Sequence, residues 1–190
     1  MADTGERSPQ AQSGVSTGGA NTIDSDESTT GVVIQFSGTA AVSTWSDFDG
    51  VDIPVGATID GVKLIVRASY NSSFAATKFL GAVVSLDGAS GTYSVGSQGA
   101  QQNITTSATD YNFGAADNTW NSDWSDWTDL SDLAFRVTLT QQSGTALSIT
   151  SIYEVDAIVY YTEASVTVST TTLKVLSGYT ILKSGKLLIN

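Results

Sequence analysis

Apolar and polar positions alternate at a spacing of two in several stretches of the chain, and no apolar period of 3.6 runs long enough for a sizeable helix. In VKLIVRASY, Val62, Leu64, Val66 and Ala68 fall on one side, and Lys63, Ile65, Arg67 and Ser69 on the other. That is the pattern of a strand buried on one face. LAFRVTLTQQ repeats it with Leu133, Phe135, Val137 and Leu139. In LSITSIYEVDAIVYYTE the alternation sets Ile152, Glu154 and Asp156 against Tyr153, Val155, Ala157, Val159 and Tyr161, and SGTA reads as the turn between these last two runs. GVVIQFSG is a shorter β-rich run, and KFLGAVVSLDGASGTYSVG reads as a hairpin turning at residues 87–91. Short strands joined by Gly, Ser, Asn and Asp turns predict an all-β domain over residues 31–163, an antiparallel β-sandwich or jelly roll.

The flanks read differently. Residues 1–30 are poor in apolar side chains and rich in Gly, Ser, Thr and acids. By composition this is a flexible N-terminal arm, because it buries too little to offset its ordering entropy. Residues 164–190 split into SVTVS, TLKVL, YTIL and KLLIN, broken at Ser177–Gly178 and Ser184–Gly185. The last two units predict a small hairpin. Burying a large apolar side chain gains roughly 1.5–3 kcal/mol, while ordering each residue costs about 1–2 kcal/mol, so a segment this short does not fold alone. Its apolar residues Leu173, Val175, Leu176, Tyr179, Ile181, Leu182, Leu187, Leu188 and Ile189 are therefore expected to dock. The surface is the chain's own sandwich, copies of the same tail, or a sheet edge of another protein. Self-association with three copies is favoured, because short Gly-broken strands suit a trimeric β-prism. Lys174, Lys183 and Lys186 make the tail basic, and an acidic neighbour would attract it.

Composition narrows the function. Only 14% of the 190 residues are charged and the net charge is −11, which excludes nucleic acid as the main partner, since phosphate recognition needs clustered Lys and Arg. With no Cys and no His, the chain lacks thiolate nucleophiles, His bases and the usual zinc ligand sets. No metal or other cofactor is expected. MADTGERSPQAQSG carries no apolar signal region, and no apolar run is long enough for a membrane span, so a protein made and kept in a cytoplasm, with no membrane partner, is expected.

The densest chemical feature is TWNSDWSDWTDLSD, where Trp120, Trp124 and Trp127 alternate with Asp123, Asp126, Asp129 and Asp132. Indoles that stack on sugar CH groups, beside carboxylates that accept hydroxyl hydrogen bonds, would make a carbohydrate platform. Indoles that cap the core, with Asp residues making turns, would be purely structural. The acids recur every third position, which does not match a calcium loop. DFDGVD, with Asp47, Asp49 and Asp52, reads as a turn. Glu154 and Asp156 share a strand face, as a glycosidase pair might, and equally as the solvated side of a sheet does. No nucleophile elbow, phosphate loop or dinucleotide fingerprint is present, so an enzyme is not expected.

Two phrases carry a resemblance. Ile53, Pro54, Gly56, Ala57, Ile59, Gly61 and Val62 form an I-P-x-G-A-x-I-x-G-V strand entry. Trp124 lies in the loop before Leu133, Phe135 and Val137, and Val155, Asp156, Val159, Tyr160 and Tyr161 close the pattern. Over residues 31–163 the chain resembles a group of bacteriophage virion β-sandwich proteins. The resemblance implies a structural or attachment role in a phage particle, without its place on the particle. Taken with the terminal segments as anchors, the favoured reading is a non-enzymatic structural protein of the virion, made in the host cytoplasm: a capsid decoration or cement protein, or a head-neck appendage. The tail adds a homotrimer, held to major capsid or neck proteins. The alternative is a carbohydrate-binding adhesion module of a phage tail or fibre. The group's pattern stops near Tyr161, so the tail lies outside it.

Overall fold

In a computed structural model, described at residues 1–15, 19–22, 31–35, 40–48, 53–70, 78–86, 88–93, 101–125, 127, 129–141, 148–164, 180–181 and 187–188, the chain is an antiparallel β-sandwich. The strands are β1 (Ala2–Asp3), β2 (Pro9–Ser13), β3 (Gly31–Gln35), β4 (Ala41–Phe48), β5 (Thr58–Tyr70), β6 (Lys78–Ser85), β7 (Gln102–Asn103), β8 (Thr109–Gly114), β9 (Ala134–Gln141), β10 (Ser148–Thr162), β11 (Thr180–Ile181) and β12 (Leu187–Leu188). The first sheet runs β1–β10–β5–β8, with β3 on the same edge of β10 as β1. The second runs β2–β4–β9–β6–β7. Strands β9 and β10, read in the sequence as neighbours across a turn, belong to opposite sheets. Strand β6 pairs antiparallel with β9 and with the next strand, β7; residues 87 and 94–96 of the expected hairpin lie outside the described residues, and Gly88 N–H donates to Asp132 O at 2.7 Å.

The alternation of β5 and β9 lays out the core directly. Val62, Leu64, Val66, Ala68, Leu133 and Phe135 are fully buried, and Val137 and Leu139 nearly so. They meet Trp45, Phe48, Phe113 and Trp120, with Phe48 edge-on to Phe135 at 5.6 Å. Strand β10 departs from simple alternation. Ile152 pairs with Ala68 and Glu154 with Arg67, leaving Tyr153 as the extra residue of a β-bulge. The bulge switches parity, so Ile152 shares the buried face with Val155, Ala157 and Val159, and Tyr153 reaches Ser69 Oγ on the other face at 3.2 Å.

Where it is described, the N-terminal segment is not the flexible arm expected from its composition. Asp3 pairs with Tyr160, Arg7 with Ala157, and β2 with β4, so the segment straps one sheet to the other. Thr22, in a 3₁₀ turn at Gly19–Thr22, accepts a buried hydrogen bond from Trp45 Nε1 at 3.0 Å. Composition missed this because the strap is held by backbone ladders and hydroxyls, not by apolar burial.

Candidate functional site

The tryptophan segment forms part of the core. Trp120 and Asn121 both have left-handed backbone, with φ of 55° and 53°, in a turn where Asn118 Oδ1 accepts from Trp120 N–H at 2.9 Å. That turn drives the Trp120 indole inward, where Nε1 donates to Val62 O at 2.7 Å and the ring meets Phe135 at 5.4 Å. Trp124 Nε1 donates to Thr119 O at 2.8 Å, and its ring packs edge-on to Trp127 at 5.0 Å. The three indoles are 0%, 6% and 9% exposed. No open indole face remains for a sugar, and the stacking platform considered for Trp120, Trp124 and Trp127 gives way to the structural alternative. The acids here shape turns: Asp123 accepts from Ser125 N–H and Asp129 from Ser131 N–H. Hydrogen bonds from the backbone and side chain of Ser125 hold the Asp123 carboxyl below its ordinary range, and those from the side chain and backbone of Ser131 do the same for Asp129. Asp126 lies outside the described residues.

A polar pocket of about 110 Å³ lies on the outer face of the first sheet, lined by Glu6, Ile65, Arg67, Asp110, Glu154 and Asp156. Register assembles it. Asp110 on β8, Arg67 on β5 and Glu154 on β10 form one row across three strands, and Asn112, Ile65 and Asp156 form the next row on the same face. The Arg67 guanidinium sits 3.1 Å from Asp110 Oδ1. Asp156 is only 5% exposed, and Ser8 Oγ donates to its Oδ1 at 2.8 Å. Glu6 comes from the N-terminal strap. The sequence reading noted Glu154 and Asp156 as a same-face pair. It missed Glu6, Arg67 and Asp110, because four separate segments supply this surface and only strand register unites them.

Chemically the pocket offers carboxylate acceptors, a guanidinium donor and one aliphatic side chain. Among the described residues no group of three acids is arranged to hold a metal ion, and no helix is long and apolar enough to cross a membrane.

Of the tail residues expected to dock, Ile181 lies in β11, and Leu187 and Leu188 in β12. Thr180 pairs with Leu188 and Ile181 with Leu187, in a two-stranded sheet separate from the two large ones. Leu173, Val175, Leu176, Tyr179, Leu182 and Ile189 lie outside the described residues.

No family model matches the chain, and no curated protein matches it. Among solved structures it is similar to a truncated AlyQ with CBM32 and alginate lyase domains, at 21% identity and a TM-score of 0.42, over 86% of this chain and 34% of that one. The chain thus spans about a third of that protein's length. It is also similar to a CBM4 structure, at 14% identity and a TM-score of 0.37, over 82% of this chain and 91% of that one.

Proposed function

We propose that the protein is a non-enzymatic carbohydrate-binding β-sandwich module, of the adhesion type expected for a phage tail or fibre, and that it binds a neutral saccharide in the pocket on the first sheet. The observation that carries this reading is the Asp110–Arg67–Glu154 row beside Ile65, set on the long paired strands β5 and β10. Planar carboxylate and guanidinium groups side by side match vicinal hydroxyls, which donate to the first and accept from the second. Ile65 can pack against a sugar CH face. Four carboxylates and one guanidinium disfavour uronic acids and sulfated sugars, as does the chain's net charge of −11. The test is calorimetric titration, at millimolar concentration, with neutral disaccharides (cellobiose, lactose, mannobiose and diacetylchitobiose) and with an oligouronate. Saturable heat with a neutral disaccharide, lost in Glu154→Gln and Arg67→Ala, supports the reading. Flat titrations throughout, or binding untouched by both substitutions, reject it.

A second reading rests on the C-terminal hairpin. Strands β11 and β12 form a sheet of their own, and a two-stranded hairpin is marginal alone in water. That supports a structural virion protein whose tail seats against copies of itself, three in number, or against other virion proteins such as capsid or neck subunits. Light scattering of the full chain, compared with one ending at Ala164, tests the self-association. A trimer that becomes a monomer on truncation supports it, and an unchanged mass rejects it.

A further inference from the structure

We infer that the N-terminal strap and the pocket are one coupled unit: a saccharide in the pocket tightens the strap, and loosening the strap weakens the saccharide. This rests on the saccharide reading and adds a regulatory role for residues 4–8.

The strap reaches the pocket through two side chains. Glu6 lines it directly, and Ser8 Oγ holds Asp156 Oδ1 at 2.8 Å. Residues 4–8 lie between the β1–β10 and β2–β4 ladders, and their own hold on the sandwich is local. Thr4 N–H donates to Val159 O at 3.1 Å, and Val159 N–H to Thr4 Oγ1 at 3.1 Å. Arg7 and Ala157 exchange two backbone hydrogen bonds, each of 2.9 Å. Of residues 1–13, only Thr4 and Pro9 are buried. A segment fixed by a few hydrogen bonds and little apolar area belongs to the low-stability end of a fold and opens without global unfolding. Opening removes Glu6 from the wall and leaves Asp156 without its Ser8 donor, so the open form lacks two of the groups that shape the pocket. A ligand that prefers the closed form must shift the strap toward it, and its apparent affinity scales with the closed fraction.

Gly5 provides a handle outside the pocket. Its φ is +68°, and a Cβ there would touch nothing within 4 Å, so Gly5→Ala strains the strap's bend without a clash. The experiment uses the full chain with whichever neutral disaccharide titrates, and compares wild type, Gly5→Ala and Ser8→Ala. Ser8 is a positioning residue, acting through Asp156. The expected result is an affinity about two- to tenfold lower in both variants. In wild type, saturating disaccharide should also slow amide exchange at Thr4 and Arg7 severalfold while leaving unchanged Ala57, whose N–H closes a local turn on Pro54 O away from the pocket. Exchange at Thr4 and Arg7 indifferent to the disaccharide, or wild-type affinity in both variants, overturns the coupling and leaves the saccharide reading intact. If no disaccharide binds wild type, that reading falls and takes the coupling with it.

Discussion

The indole of Trp120 stands where a side chain on Gly114 would have to go. A Cβ built on Gly114 meets Trp120 Nε1 and the carbonyl oxygen of Val62, and those two atoms are themselves hydrogen-bonded at 2.7 Å. Gly114 also has φ of +76°. Gly114→Ala therefore meets strain and collision together, neither relieved by a flexible neighbour. The expected cost is about 3 kcal/mol or more, read as a lower urea midpoint with an unchanged slope.

Trp120 and Trp127 are not equivalent. Trp120→Phe removes the donor to buried Val62 O and leaves a void beside Phe135, at an expected cost of about 2–4 kcal/mol. Trp127 Nε1 is buried and has no hydrogen-bond partner among the described residues. Trp127→Phe removes that unmet donor along with the ring area, so its cost should be about 1–2 kcal/mol smaller. Urea unfolding of both variants checks the difference. With Trp45 also fully buried, native emission should be blue-shifted and poorly quenched by acrylamide, and it should not move when a saccharide fills the pocket.

These positions show what the sequence made legible. The period-two runs in β5 and β9 put the right residues in the core because nothing interrupts either run's inward face. The phrase Ile53–Pro54–Val55–Gly56–Ala57 is structural too. Ala57 N–H closes a turn on Pro54 O at 2.9 Å, Gly56 takes φ of +81°, and Ile53 and Ile59 are buried. Such a phrase speaks to a strand entry, not to a binding partner. In β10 the alternation misled, because the bulge at Tyr153 switches which face is buried without any residue type to announce it. The tryptophan reading stayed divided between platform and core, since indoles serve both, and only the left-handed turn at Trp120 and Asn121 decides it. Of the pocket only the Glu154 and Asp156 pair was legible, because Arg67 and Asp110 join Glu154 through register across three strands.

Asp129 gives stability an acid-dependent component. It caps the 3₁₀ turn Leu130–Asp132 by accepting from Ser131 N–H at 2.9 Å, and hydrogen bonds from the Ser131 hydroxyl first and this N–H second hold its pKa below the ordinary value. A folded-state pKa depressed below the unfolded value, near 3.9, gives stability that is present above that value and lost as pH falls through the folded one. Asp129→Ala should cost about 0.5–1 kcal/mol at pH near 7, and the gap from wild type should narrow below pH of about 4. Asp129→Asn should hold the cap with no such pH dependence. Urea midpoints of the three proteins at neutral and acid pH measure this.

Among the described residues, the hydrogen bonding of the sandwich ends before the tail begins. Strand β10 ends at Thr162, whose Oγ1 donates to Asp60 Oδ2 at 2.7 Å, and Glu163 and Ala164 are exposed. Among the described residues, the core cluster reaches no further along the chain than Tyr161. A chain ending at Ala164 should therefore unfold cooperatively, within about 0.5 kcal/mol of the full-length protein measured at a concentration where that protein is monomeric. If instead the tail served the sandwich it is attached to, truncation would cost several kcal/mol, and that loss would not depend on protein concentration. If the tail seats against a second copy, the full-length midpoint should rise with concentration while that of the truncated chain stays fixed. Urea titrations of both chains over a hundredfold range of concentration distinguish the two.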